Sequence, residues 1–363
     1  MSGKSSQTFA QAFDAVATQL RSGVPAANVN PQPFFENNVG PGGTVTLATK
    51  DAVNIINGVV ANFWLNTLDP LLPAPVNNRQ IRSTITQTYG GLNNYNAVFA
   101  QIDKRYSRGL TLTANYTFSR NLGTGDAGQD NAGAGGCFNP YNVGYCYTAM
   151  QSDRKHGFNA QGVYELPFGK GHRFGGARGW DRITGGWSIS SVVTWFSGLP
   201  LAVTAGGQAF GASGNESAPL IRDPRADSGR NENSAGANNV GTGANPARGG
   251  TGLNLFQNPD YVFNSFRRYL LASDTGSTRG IVRGLPRFSY DASLAKRTRI
   301  NERMNASFTA DFLNLFNHPL FNNPGLSLDS AANFGVITSQ PGNPGQGDFW
   351  AARRIQLGLR FEF

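Results

Sequence analysis

The sequence predicts an all-β fold: an antiparallel transmembrane β-barrel, present in part as about 8–9 strands, with long extracellular loops and short N-terminal helices. Three observations carry this reading. From about residue 94 onward, apolar and polar side chains alternate with a period of two, segment after segment. These segments run about 10–12 residues, longer than the usual soluble strand of about 5–6 and suited to a tilted bilayer crossing. Their connections alternate short and long, the layout of a barrel with turns on one side of a membrane and loops on the other.

Composition narrows the classes. Charged residues are 15 % of the chain, against about 25 % in an ordinary soluble domain. Gly 46 and Pro 19 make it rich in turns, and 25 Phe, 11 Tyr and 5 Trp are too many aromatics for a disordered chain. A coiled coil would be rich in Ala, Glu, Lys and Leu. No apolar run reaches the roughly 18 residues of a transmembrane helix. The start, MSGKSSQTFAQAF, has no apolar h-region. The reading is therefore either a cytosolic protein or a product whose start is missing. Net charge is +9, but the basic residues are scattered. The densest cluster, Lys296, Arg297, Arg299 and Arg303, falls at an expected turn, so a solvated face is expected and no nucleic acid partner.

Residues 1–80 read as an irregular loop region with two short helices. Phe9, Phe13, Val16 and Leu20 fall at helical spacing before Gly23, and Ala52, Ile56, Val59, Val60 and Phe63 make the second patch. Residues 81–363 read as barrel. Val98, Ala100 and Ile102 alternate first; after the short RYSRG connection come Leu110, Leu112, Ala114, Tyr116 and Phe118, with Thr111, Thr113, Asn115 and Thr117 on the other face. The pattern recurs around Phe158–Leu166, Trp187–Trp195, Tyr290–Leu294, Met304–Phe312 and Ile355–Phe363. Residues 119–156, 198–286 and 315–352 are the long connections, rich in Gly, Asn and Pro.

A soluble β-sandwich also alternates, so the solvent against the apolar face must be decided. Aromatics near strand ends, Tyr95, Tyr106, Phe118, Phe158, Trp187, Trp195, Phe196, Phe361 and Phe363, read as membrane-interface girdles. The apolar faces carry Lys104 and Lys296 only at strand ends, where a cation costs about 0–1 kcal/mol rather than the 2–4 of the midplane. The opposite faces carry Gln, Asn, Thr, Asp and Arg, which suit a wet lumen. Both features favour lipid.

Several stretches carry a resemblance. DRKHGFNAQGVYELPFGKGHRF (153–174), GGWSISSVVTWFSGLPLAV (185–203), DFLNLFNHPLFNNP (311–324) and RRIQLGLRFEF (353–363) resemble the C-terminal portion of the β-barrel of TonB-dependent outer-membrane receptors, most closely the Oar-like group, and 93–122 fits the same pattern. The resemblance implies a 22-stranded barrel plugged by an N-terminal domain, on which TonB pulls to admit a solute. About eight or nine strands are legible here, with no plug, TonB box or signal peptide. The chain is therefore expected to be the C-terminal part of such a receptor, from a split, truncated or partly sequenced gene. The implied partners are outer-membrane lipid, the N-terminal plug and barrel remainder, TonB and an unknown solute ligand. The terminal pattern Ile355, Leu357, Leu359, Phe361 and Phe363 resembles the signal read by the barrel-assembly machinery; its plain alternative is an edge strand of a soluble sheet.

Little else carries chemistry. Cys137 and Cys146, in GCFNPYNVGYC, are expected to form a disulfide, worth roughly 2–3 kcal/mol in the chain-entropy model; two ligands alone cannot complete a zinc site. His156, His172 and His318 lie far apart and outside any catalytic motif, and packing is the better reading of each. Gly123-Thr-Gly125-Asp-Ala-Gly128 matches GxGxxG formally but leads into loop. Asp126, Asp130 and Asn131 supply too few oxygens to define a calcium site. Arg354, Arg360, Glu362, Asp311 and Asp291 are inward charged candidates that stabilise the wall. Residues 205–252 read equally as a ligand-catching loop or a spacer. No catalytic residue, cofactor or metal is expected, and no enzyme. The leading expectation is outer-membrane import of a scarce solute; a structural or adhesion-type barrel and a soluble glycan-binding β-protein are the alternatives.

Overall fold

The computed structural model describes residues 5–73, 91–124, 144, 147–169, 174–175, 181–205, 217–229, 253–274, 278–340 and 352–363. The chain begins with a helical unit: α1 (Phe9–Arg21), α2 (Pro33–Val39), α3 (Gly43–Asn57) and α4 (Val60–Phe63). Thr8 starts α1 through a reciprocal capping box with Gln11, at 3.2 and 2.9 Å. Pro33 opens α2 at its first turn, where its missing N–H is harmless. Asp51 breaks the regular φ/ψ of α3, and Gly58, left-handed at φ 74°, ends it. Phe13, Phe35, Phe63, Leu47, Ile55 and Leu68 close a core within this unit. Two short helices in an irregular region understate it. The missed α2 and the start of α3 flank a Gly-Pro-Gly-Gly run that reads locally as a turn, yet their apolar faces find each other across it.

The barrel region is one antiparallel sheet. Its long strands are β1 (Asn93–Ser107), β2 (Leu110–Gly123), β4 (His156–Glu165), β5 (Trp187–Phe196), β8 (Arg287–Arg299), β9 (Asn305–Leu313) and β10 (Arg354–Glu362), hydrogen-bonded in that order. A two-residue β3 (Thr148–Ala149) joins β2, which makes eight strands in the sheet. Two more short strands, β6 (Pro200–Leu201) and β7 (Val282–Arg283), pair outside it. The β1–β2 turn places Arg108 at φ 53° and Gly109 at φ 81°, the paired positive φ that a tight two-residue hairpin needs.

Register sorts every side chain to a face. One face stacks apolar rows across the strands: Ala100, Tyr116, Phe158, Trp195 and Phe288; then Ala114, Ala160, Val193 and Tyr290; then Leu112, Ala292, Phe312 and Ile355; then Leu110, Tyr164, Ile189, Leu294, Ala310 and Leu357; and last Trp187, Lys296, Phe308 and Leu359. Among the described residues no second layer covers this face; only Phe316 and His318 pack on it, against Phe288 and Tyr290 at the loop end. Ile102, Leu357 and Leu359 are 66–68 % exposed, and Ala310 is the only buried hydrophobic residue of the long strands among the described residues. A sandwich would pack these side chains against a second sheet. An apolar face without a second layer is what a strand wall turned to hydrocarbon presents.

Aromatic rows bound that face. The Tyr116–Phe158–Trp195–Phe288 row lies toward the long loops, and Trp187 and Phe308 lie toward the short turns. Trp187 and Trp195 sit eight residues apart on β5, about 26 Å along the strand at 3.3 Å per residue. Tilt lowers that span toward the height of an outer-membrane apolar band. Lys296 on the lower row is held by Trp187, 4.7 Å from its ring centroid, and donates to the Ile183 and Gly185 carbonyls at 2.6 and 3.0 Å. A rim cation satisfied in this way escapes the midplane cost.

Not every expected girdle residue lies on the apolar face. Tyr95 opposes Asn121, and Phe196 opposes Gly157 and Arg287, so both belong to the polar face. A register shift between Lys104 and Ser107 turns Tyr106 the same way, and its hydroxyl donates to Glu165 at 2.5 Å. Alternation fixes which face a residue takes, so an aromatic next to a girdle residue points the other way.

The rows also locate the membrane centre. Phe312 lies on the middle row, whereas Leu359 lies beside Lys296 near the turns. Phe312→Arg is therefore expected to cost about 2–4 kcal/mol and Leu359→Arg about 0–1. The measurement is the yield of heat-modifiable protein in purified outer membranes. Equal losses for the two variants would contradict the assigned depth.

Candidate functional site

The polar face is the candidate solute-facing wall. Its central rows are Asp103, Thr113, Gln161, Val192 and Asp291; Gln101, Asn115, Asn159, Thr194 and Ser289; and Thr111, Val163, Ser190, Ser293, Asp311 and Gln356. A cleft of about 440 Å³ opens against this wall, lined by Thr111, Thr113, Gln161, Ser190, Asp291 and Asp311 among others. The Ser293 hydroxyl donates to Asp311, and the Asn314 amide to Asp291 at 2.7 Å. Side chains of this kind bind water and hydrogen-bonding solutes. Among the described residues, no group of three or more His, Cys, Asp or Glu could hold a metal ion.

The expected inward charges fall on this wall. Arg297 and Arg360 both reach Glu362 near the turns, at 3.3 and 3.4 Å. Arg354 stands opposite Leu313 near the loops. These exposed ion pairs contribute little to stability.

Over the loop end lies a packed module that the sequence did not announce. Val203, Ala218, Leu255, Phe256, Val262, Phe266, Leu326 and Phe334 form a buried core contributed by the two longest connections. The module contains the short helix α5 (Pro259–Phe263), and backbone bonds stitch the two connections together. Thr204 N donates to Leu326 O at 2.8 Å and Leu255 N to Gly335 O at 2.8 Å. Of 205–252, the described residues 205 and 217–229 carry Ala205 and Ala218 into this core.

At the base of the module, Asp153 and Arg283 form an ion pair, their side chains 0 % and 14 % exposed. The Asn121 amide donates to Asp153 at 2.6 Å, and Arg283 Nη1 donates to the Gly198 carbonyl at 3.3 Å. One pair thus joins the ends of β2, β5 and β7. Gly198 is required beside it, because a Cβ there would strike the Gly284 carbonyl.

Other predicted residues are placed as follows. Ile355, Leu357, Leu359 and Phe361 project from the apolar face of β10, at the open edge of the sheet, and Phe363 is 93 % exposed. His156 belongs to a rim cluster: the Tyr116 hydroxyl lies 2.7 Å from its Nδ1, with Phe118 and Trp195 beside it. His318 packs edge-on against Phe288. Cys137, Cys146, His172, Gly125, Gly128, Asp126, Asp130 and Asn131 lie outside the described residues.

A family model described as an outer membrane beta barrel domain matches residues 37–356. The chain belongs to this family. Neither the comparison with curated proteins nor that with solved structures gives a match. Membership in the outer membrane beta barrel family places the chain in the outer membrane and assigns the apolar rows to lipid, the polar rows to the lumen. The match also runs from residue 37, so it takes in α3 and α4 as well as the sheet.

Leaving a buried charge without its partner is costly. Asp153→Ala or Arg283→Ala is expected to lose about 3–5 kcal/mol each. Because each removes the same pair, the double variant should lose far less than the sum. Urea unfolding in micelles gives the cycle; additive losses would show that the two side chains act independently.

Proposed function

We propose that the chain is part of a TonB-dependent outer-membrane receptor that binds a scarce solute at its loop end and imports it through the barrel, without covalent catalysis. The observation that carries this reading is the loop module. An adhesive or purely structural barrel needs no more than tethers between its strands. Here two long connections build one buried core at the mouth of a polar wall, a rigid platform from which a solute can be recognised. The four family-like stretches at 153–174, 185–203, 311–324 and 353–363 support the same assignment.

Several roles go with the proposal. The plug and the remaining strands would complete the lumen, and TonB would act on the plug. Ile355, Leu357, Leu359, Phe361 and Phe363 would present the assembly signal to the barrel-assembly machinery, and an open edge strand suits them to that role. A Cys137–Cys146 disulfide would restrain the loop between β2 and β4.

The test uses the product of the whole gene, solubilised from its own outer membrane, and the purified periplasmic domain of TonB from the same source. Saturable binding in surface plasmon resonance, of roughly micromolar affinity, is expected. A whole-gene product that shows no binding, together with a locus lacking any plug-encoding segment, would overturn transport in favour of the structural reading.

A further inference from the structure

The helical unit and the loop module meet through a small, specific contact. The segment 267–274 forms a hook. Arg267 clamps Asp274 with two bonds of 2.7 and 2.5 Å, Asp274 accepts from the Leu270 amide at 2.6 Å, and the Tyr269 hydroxyl donates to the Asp274 carbonyl at 2.7 Å. This hook engages α1. The Asp14 carboxylate accepts from the Leu271 and Ala272 amides at 2.8 and 2.7 Å. Arg21 donates to the Tyr269 carbonyl at 3.2 Å and to the Ile56 carbonyl, within its own unit, at 2.9 Å. Among the described residues, Leu271 alone packs against both cores.

Each side is otherwise complete. The helical unit buries Phe13, Phe35, Phe63 and Leu47 in one core, and the loop module buries Leu255, Val262 and Phe334 in another. Units that keep separate cores and share a small polar contact move relative to each other by default. Burial also acts on the contact itself. Desolvation raises the Asp14 carboxyl above its ordinary value despite the two amides, and lowers the Arg21 guanidinium to about 10.

We propose that residues 5–72 form a lid at the loop end of the barrel, latched by Asp14, Arg21 and Leu271 to the 267–274 hook, and that the lid detaches as an intact body. Among the described residues, detachment breaks two carboxylate–amide bonds, the Arg21–Tyr269 bond and the Leu271 contact, and leaves both cores folded. The contact lies on the side from which a solute would enter. That consequence for uptake, unlike the latch itself, rests on the transport reading.

Hydrogen exchange on the full chain in detergent tests the latch. In the unmodified protein, the Leu271 and Ala272 amides should exchange at least about tenfold faster than core amides of α1 and α3, because they report partial opening. Asp14→Ala should speed Leu271 and Ala272 by a further tenfold or so while α1, α3 and the Leu255–Phe256 amides keep their protection. Leu271→Ala should do the same without removing a charge. Loss of protection in α1 and α3 together with the hook would show one cooperative unit, and unchanged exchange at Leu271 and Ala272 in both variants would show that the contact is no latch; either overturns the proposal. If the hook opens as expected but uptake of the native solute by cells carrying Asp14→Ala is unaltered, the latch stands and only its link to transport fails.

Discussion

A backbone amide or carbonyl in hydrocarbon must find its partner within the protein, because no water is there to serve. The rest of the architecture follows from this constraint. It requires the strands to lie side by side, and the hydrogen-bonded order runs from β1 to β10 with one bulge between Lys104 and Ser107. It pushes every irregular segment to the membrane surfaces. The period-two alternation is its side-chain consequence: once the backbone is used up in the ladder, each strand presents one face to lipid and the other to the lumen. The two hydrophobic cores lie off the sheet, because the sheet buries its apolar side chains against lipid rather than against protein.

The same constraint explains how much could be read in advance. Leu110, Leu112, Ala114, Tyr116 and Phe118 announce their strand and its lipid face because position on a strand alone fixes the face. Lys296 reads as a rim residue for the same reason, and the structure supplies its Trp187 ring and two carbonyls. Alternation is also unforgiving. Phe196 and Trp195 are neighbours, and only one of them can belong to the girdle. Tyr106 was misplaced by a single register shift, which leaves no mark in the sequence.

The loop module, α2 and the start of α3 were illegible for a different reason. Val203, Leu255, Leu326 and Phe334 lie in short apolar runs separated by stretches of Gly, Asn and Pro, more than a hundred positions apart at the extremes. No period links them, since the backbone holding them is joined by single bridges such as Thr204 to Ser217 and to Ser327. Asp153 and Arg283 could be seen as charges, but nothing local says that they pair. Contacts that depend on chain closure over such distances belong to the tertiary structure alone. The polar wall is intermediate: its residue types were legible from the strand pattern, while its cleft and the Ser293–Asp311 contact needed the register.

The edges of the sheet carry one more consequence of strand direction. β1 runs from the loop end, where Asn93 opposes Gly123, down to the turn at Ser107; β10 likewise runs from Arg354 at the loop end to Glu362 at the turn end. Both edges therefore descend, as they must in an antiparallel path of seven long strands. Joining β1 to β10 directly would make a parallel seam, and so would joining the edge of one such sheet to that of a second copy in the same orientation. An antiparallel closure must begin and end with an ascending strand and so adds an odd number. Among the described residues β1 is exposed along its whole length, and a strand edge in hydrocarbon leaves backbone groups unpaired until another strand meets it, in an antiparallel closure or across a parallel seam. That requirement concerns hydrogen bonding alone and is independent of what the loops do.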